Sequence, residues 1–231
     1  MTTGHLNYQS FAQRYAATIE NHPTRLYYER PALFSLLPDV AGKRVLDAGC
    51  GSGAYSAALL EQGAVVTAFD LMADFVEMTR QRTQGQAQVF QANLADPLHF
   101  ALDASFDVVI SSLVLHYIPD WAAVFAEIER VLAPGGVFIF STMHPLTDAP
   151  HLRYFETALY EMIWQNFGEP YPVMQVYHRP MMAILNPLIA AGLHLDQLLE
   201  PEPQPAMQPL APDEYAMLQK QPIFLFARAV K

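Results

Sequence analysis

Three glycines at alternate positions, Gly49, Gly51 and Gly53, follow Asp47 in the run Arg-Val-Leu-Asp-Ala-Gly-Cys-Gly-Ser-Gly at residues 44–53. Glycine takes the positive φ values that a tight turn needs, and without a side chain it lets a ligand approach the backbone. A helix opening after such a turn aims unpaired N–H groups and the positive end of its dipole at the same place. The acid decides which ligand this suits. A turn cradling a pyrophosphate is preceded by apolar residues, whereas Asp47 would repel a phosphate and favours a ligand carrying an ammonium or sulfonium charge. A second acid, Asp70, stands 23 residues further on, at the end of the next apolar run. A carboxylate there can accept hydrogen bonds from both ribose hydroxyls of a nucleoside; the blander alternative is a cap on the following helix.

The elements that must position these residues are legible as alternating short apolar runs and longer helical patterns, the mark of parallel βαβ folds. Strands are expected at Arg44–Ala48, Ala64–Phe69, Ala87–Gln91, Phe106–Ser111 and Gly136–Ser141, with helices at Ala54–Gln62, Met72–Thr83 and Trp121–Leu132. Asp120 is placed to cap the last helix, and Ala-Pro-Gly-Gly (133–136) stops it. Residues 1–40 read as preceding helices broken by prolines. Most of the 18 prolines and 10 methionines fall within 141–222, together with the aromatic stretch Tyr154, Phe155, Tyr160, Trp164, Phe167 and Tyr171. That stretch either lines an apolar pocket or is plain core. The segment reads as a cap over the ligand side of the sheet, interrupted by a helix at Met181–Ala191 and a strand near Leu193–Leu199, before a closing strand at Ile223–Val230. The chain is therefore expected to be one domain: N-terminal helices (1–40), a binding core (41–145), a cap with the sixth-strand region (146–222) and the closing strand (223–231).

Apolar residues make up 52% of the 231, enough for a full core, and no apolar run approaches the ~20 residues of a membrane span. The first residues lack the basic and apolar blocks of a signal peptide, so a cytoplasmic location is expected. A single cysteine, Cys50, excludes an internal disulfide and a cysteine-built zinc site, and no metal site is expected. With 13 lysines and arginines and a net charge of −10, nucleic acid is a poor partner. Oligomeric state leaves no mark in the sequence.

Four motifs occur in order: Val-Leu-Asp-Ala-Gly-Cys-Gly-Ser-Gly, Phe-Asp-Leu-Met, Phe-Asp-Val-Val-Ile-Ser-Ser-Leu-Val-Leu-His-Tyr-Ile-Pro-Asp and Val-Leu-Ala-Pro-Gly-Gly. Together they resemble the class I S-adenosylmethionine (SAM)-dependent methyltransferases, nearest the small-molecule branch that includes ubiquinone-biosynthesis-type enzymes, over about residues 43–142 and again at 222–230. The resemblance implies a Rossmann-like, doubly wound, mostly parallel sheet with an antiparallel C-terminal strand, N-terminal helices and an inserted cap. It implies SAM as cofactor, S-adenosylhomocysteine (SAH) as product, and a small-molecule acceptor. Carried over by position, Gly49, Gly51 and Gly53 with Cys50 form the turn against which the methionine half of SAM lies, and Asp47 orients its amino group. Asp70 holds the ribose, and Leu71 and Met72 pack on the adenine. Where the family commonly places an Asp for the adenine amino group this chain has Asn93, whose amide oxygen still accepts a hydrogen bond, beside the Leu94 backbone. Ser111 and Leu113 lie where the fourth strand opens toward the donor. Of Phe11, Tyr15, Tyr27 and Tyr28, any of which could close over the sulfonium, the resemblance favours Tyr15.

The acceptor side is read from position alone. Methyl transfer needs alignment and exclusion of water, with a base only where the acceptor must lose a proton. His116 after the fourth strand and His144 after the fifth are the catalytic candidates, against packing and hinge roles respectively. Tyr117, Tyr177, His178 and Arg179 are the substrate-binding candidates, against structural ones. Three competing functions remain: a SAM- or SAH-binding regulator without turnover, a NAD-linked oxidoreductase, and a nucleic-acid methyltransferase. Gly49-x-Gly51-x-x-Ala54 formally meets the dinucleotide pattern, which Asp47 opposes. Ser-Ser-Leu-Val (111–114) stands where a base-flipping enzyme would carry its Asn/Asp-Pro-Pro-aromatic grip.

Overall fold

The computed structural model describes residues 12–164 and 169–231. Helix α1 (Ala12–Ile19), a π-helical turn at Arg25–Glu29 and α2 (Arg30–Ser35) precede the first strand. The chain then alternates β1 (Arg44–Ala48), α3 (Ala54–Glu61), β2 (Val65–Asp70), α4 (Ala73–Arg82) and β3 (Gln88–Gln91). After β4 (Phe106–Ser112) come a 3₁₀ turn at Leu115–Tyr117, α5 (Trp121–Val131) and β5 (Leu132–Met143). Asp120 caps α5 as expected, accepting from the amides of Ala122 and Ala123. The hairpin β6 (Ala158–Ile163) and β7 (Val173–His178) follows, then α6 (Met181–Ala190), β8 (His194–Leu199), α7 (Pro212–Leu218) and β9 (Phe224–Val230).

Seven strands form one sheet in the order β3-β2-β1-β4-β5-β9-β8. The β1–β2, β2–β3, β1–β4 and β4–β5 pairings are parallel. Strand β9 runs antiparallel to both its neighbours. Strand order reverses between β1 and β4, so the crevice beyond their carboxyl ends is where such a sheet takes a ligand. Strand alternation splits the core into two layers. Leu46, Val109, Phe138 and Phe140 pack beneath α5 and α6. Val45, Val108, Ile110, Val137 and Ile139 pack beneath α2 and α3.

Of residues 146–222, the part that stands off the main sheet is the β6–β7 hairpin. Helix α6 packs on α5 and β8 joins the sheet edge, so both belong to the core layer. The hairpin lies over the carboxyl end of the sheet with α1. Tyr160, Met174 and Val176 share a cluster with Ala12, Met72, Phe75 and Tyr117, and Arg14 donates to the carbonyls of Glu169 and Pro170. Phe11 and Phe167 lie outside the described residues.

Candidate functional site

The glycine turn is tied to the end of β2. The amides of Gly49 and Cys50 both donate to the Phe69 carbonyl, at 2.9 and 3.0 Å. All three glycines hold positive φ (81°, 53° and 81°). A Cβ on Gly49 would overlap the Val114 side chain, and one on Gly53 would lie 2.9 Å from the Thr79 Cα. A Cβ on Gly51 would meet no protein atom within 4 Å, and Gly51 lines an open cleft of about 690 Å³ when the solvent at its mouth is counted. That open space above bare backbone is room for a ligand.

The two acids divide their work. Asp70, 9% exposed, lines the cleft; its Oδ2 accepts from the Gly51 amide and its Oδ1 from the Met72 amide, each at 2.9 Å. Burial pushes its carboxyl up to about 6 against the pull of those amides. Asp47 is 2% exposed and lies beneath the turn, accepting from Ser56 Oγ at 2.6 Å. Burial raises it to about 7, with a smaller contribution from Asp70. Asp47 does not line the cleft, because its strand position points it under α3. Cys50 is likewise buried, its Sγ 3.3 Å from Thr79 Oγ1, and desolvation pushes its thiol well up. Gly53 caps α3 and does not face the cleft.

Tyr15, Gly49, Gly51, Asp70, Leu71, Met72, Asn93 and Leu94 all line the cleft. The Asn93 side chain also closes its own turn, accepting from the Ala95 amide and donating to Asp96. Ser111 is a correction: strand alternation turns it into the sheet, where its Oγ donates to the Ala48 carbonyl, and its neighbour Ser112 faces the cleft. Tyr27 and Tyr28 do not reach the cleft; Tyr28 packs with Met207, Tyr215 and Leu218. Sequence reasoning missed Phe69, Phe75, Ala92, Val114 and Ile118 as wall residues. Phe69 and Ala92 stand at or just after predicted strand ends and Val114 and Ile118 within the third motif, while Phe75 carries no local mark.

A second cavity, about 1270 Å³ counted to its open mouth, adjoins the cleft through Leu113 and Tyr117, which line both. Leu113 holds φ +54°, an unusual conformation for a residue with a side chain. His116 lines this second cavity, 4% exposed, with no hydrogen-bond partner on Nδ1. Burial, helped by Arg25 and Arg179, lowers its imidazole to about 3 and keeps it neutral. Tyr15 stacks on Trp164 at 5.7 Å between ring centroids, joining the wall of one cavity to that of the other.

Four of the other acceptor-side residues lie outside both cavities. His144 is fully buried with both ring nitrogens occupied: Nδ1 accepts from the Leu146 amide, so Nε2–H donates to Glu200 Oε1 at 2.5 Å. It pins the chain after β5, not an acceptor. His178 pairs with Asp148 at 2.8 Å and with the Tyr154 carbonyl at 3.1 Å. Arg179 is sandwiched between the Trp121 and Tyr177 rings and donates to the carbonyls of Ile118 and Pro119. Arg179, with the Tyr177 ring against it, fastens the hairpin to the loop that carries His116, and His178 ties it to the segment at 148–154. Burial lowers the Arg179 guanidinium to about 10.

Glu29 drew no notice in the sequence because its partners come from four elements. Fully buried, it accepts from Tyr55 (2.5 Å), Ser112 (2.8 Å) and Ser141 (3.0 Å), and Arg25 lies 3.3 Å away. It thereby joins a wall residue of the cleft, Ser112, to one of the second cavity, Arg25. Among the described residues no group of three or more His, Cys, Asp and Glu is arranged to hold a metal ion.

The methyltransferase domain family profile matches residues 46–140. The chain is 31% identical over 228 residues to an uncharacterized protein of Haemophilus influenzae, covering 88% of this chain and 87% of that one. It is 35% identical over 125 residues to a ubiquinone biosynthesis O-methyltransferase of Xanthomonas oryzae, covering 53% of this chain and half of that enzyme. The crystal structure of an S-adenosylmethionine-dependent methyltransferase from Mesorhizobium loti superposes with a TM-score of 0.73 at 30% identity, over 88% of this chain and 97% of that one. The parallel sheet with its reversed last strand, the glycine turn at its switch point and these relatives agree, and the chain belongs to the class I SAM-dependent methyltransferases.

Proposed function

We propose that the cleft beside the glycine turn binds SAM through the residues named above and that the chain methylates a small-molecule acceptor held in the adjoining cavity. One observation carries the donor assignment: among the described residues lining the cleft, Asp70 is the only charged side chain, and it bridges the Gly51 and Met72 amides. A cleft with an acid and no lysine or arginine fits a nucleoside bearing a sulfonium and repels a pyrophosphate, which argues against the dinucleotide alternative. Asp70 would accept from the ribose hydroxyls. Leu71, Met72 and Phe75 would enclose the adenine, with Asn93 and Leu94 at its edge. The bare backbone at Gly49 and Gly51 would face the methionine half. Asp47 acts from beneath by holding Ser56 and the start of α3 in place.

Bound SAM supplies an electrophilic methyl group on a sulfonium that leaves as a neutral thioether. The protein's part is to align the acceptor with that methyl and exclude water. Tyr15 and Trp164, stacked over the junction, close it from the α1 side. No helix among the described residues is long and apolar enough to cross a membrane, and the acid excess opposes nucleic acid; a cytoplasmic enzyme of small molecules is the consistent reading.

A thermal-shift titration with SAM, SAH and NADH tests the donor. At about 100 times Kd a ligand adds ~2.7 kcal/mol, which raises Tm by several degrees at this chain length. Shifts with SAM and SAH and none with NADH are expected; a shift with NADH alone overturns the assignment. Transfer of labelled methyl from SAM to an acceptor separates an enzyme from a binding protein without turnover.

A further inference from the structure

We infer that Arg25 is a positioning residue for donor binding: anchored by the buried Glu29 carboxylate, it holds the Tyr15 ring in the wall of the cleft. This deepens the proposed function and rests on its donor reading. Tyr15 lines the cleft from α1, a helix of eight residues. A helix that short is not stable by itself in water, so contacts with the body set where the ring stands. The ring meets Phe75 edge-on at 5.8 Å between centroids and stacks on Trp164 at 5.7 Å. Ring contacts are satisfied over centroid separations of about 4.5–7 Å, which leaves a ring room to shift. A hydrogen bond to the hydroxyl is a narrower constraint.

Arg25 supplies that constraint. Its Nη2 donates to the Tyr15 hydroxyl at 3.2 Å, and its Nη1 stands 3.3 Å from Glu29 Oε2. The planar guanidinium fixes one arm relative to the other, so the hydroxyl is located relative to Glu29. Glu29 itself is held from several sides. Its Oε2 also accepts from Tyr55 on α3, and its Oε1 accepts from Ser112 on β4 and Ser141 on β5. The Glu29 side chain is 1% exposed and that of Arg25 15%, so the pair escapes the screening that weakens surface ion pairs.

A continuous path therefore runs from α3, β4 and β5 through Glu29 and Arg25 to a ring in the cleft wall. By contrast, the Arg14 hydrogen bonds from α1 to the Glu169 and Pro170 carbonyls are exposed and end on the hairpin. The Arg82–Glu20 pair, at 2.5 Å, ties the chain just past the end of α1 to α4. Cutting the Arg25 link thus loosens the ring without releasing the helix. A ring already in place costs the ligand nothing to order, whereas a loose one must be immobilised on binding. Immobilising one side chain is worth about fivefold in affinity.

Calorimetric titration with SAH across a double-mutant cycle tests this. Arg25→Lys keeps a charge beside Glu29 but puts one nitrogen where two partners need two. It should weaken SAH about fivefold, and so should Tyr15→Phe, which removes the hydroxyl. The double variant should be no weaker than either single one, because all three lose the same link. Urea unfolding of the same samples separates the roles: a residue that merely stabilises the fold lowers the midpoint and leaves the Kd of the folded protein unchanged. Should Arg25→Lys not fold, Glu29→Gln, which removes the charge that holds Arg25 and keeps an acceptor oxygen, takes its place in the cycle with the same expectation. Wild-type SAH affinity in either single variant, or a double variant about 25-fold weaker, as two independent losses would give, would overturn the inference. Failure of SAH itself to bind wild type would instead overturn the donor reading, and this inference with it.

Discussion

Asp70→Asn separates ligand binding from folding. The carboxylate accepts two backbone amides at 2.9 Å, one per oxygen. Asparagine has one oxygen, so its NH₂ must face one of those N–H groups. The buried amide left unsatisfied there costs about 1–3 kcal/mol. Against this, burial outweighs both amide bonds and leaves Asp70 raised from 3.8 to about 6, so its ionised form, with those bonds included, costs folding roughly 3 kcal/mol at pH 7.5 that the asparagine side chain does not. The two effects nearly cancel, and the urea midpoint should change little. Binding has no such compensation. With its oxygen turned to one amide, the side chain offers the ribose hydroxyls a donor in place of two charged acceptors, a loss of ~3 kcal/mol or about 100-fold in Kd. Calorimetry with SAH, paired with urea unfolding on the same samples, measures both. A Kd within about threefold of wild type, or a loss of affinity matched by an equal loss of stability, would refute the reasoning.

Glu29→Ala orphans the buried hydroxyls of Tyr55 and Ser141 and releases the half-buried Ser112; at ~1–3 kcal/mol for each unsatisfied buried group it should cost at least about 2 kcal/mol in urea unfolding, against about 1 kcal/mol for Tyr55→Phe. Asp47, raised from 3.8 to about 7, contributes stability that is full below about pH 4 and is lost as pH rises through about 7. His116, lowered from 6.5 to about 3, contributes stability present above 6.5 and lost as pH falls, so the wild-type profile between pH 5 and 8 mixes opposed terms. The difference between wild type and Asp47→Asn isolates the acid: the variant's stability relative to wild type should improve by about 2 kcal/mol from pH 5 to pH 8. A flat difference would show that Asp47 stays ionised throughout.

The donor side was readable because its determinants are local. Gly49, Gly51 and Asp70 sit at strand ends, where alternation and turn chemistry place a residue without knowledge of distant neighbours, and eight of the predicted contacts line the cleft. Even there, parity decided between neighbours. Ser111 and Ser112 are chemically identical in the sequence, and only the pleat of β4 turns the second toward the cleft. Asp47, read from the sequence as orienting the ligand's amino group, lies outside the cleft, because its burial beneath α3 depends on how Ser56 packs over it.

The acceptor side was not readable because chemistry-bearing residues there are identified by partners far away in the chain. His144, His178 and Arg179 look as reactive as His116 until Glu200, Asp148 and the Ile118 carbonyl occupy them. Conversely, Glu29, Thr24, Glu214 and Met217 carry no motif, and the π-helical turn with the residue before it and α7 bring them to the ends of the inner strands. The sequence by itself determined the sheet, the glycine turn and the family, since these follow from periodicity and from backbone positions only glycine fills. The tertiary structure alone decided which polar groups stay unpaired in a cavity and which are spent on packing, because that depends on long-range contacts that no local pattern encodes.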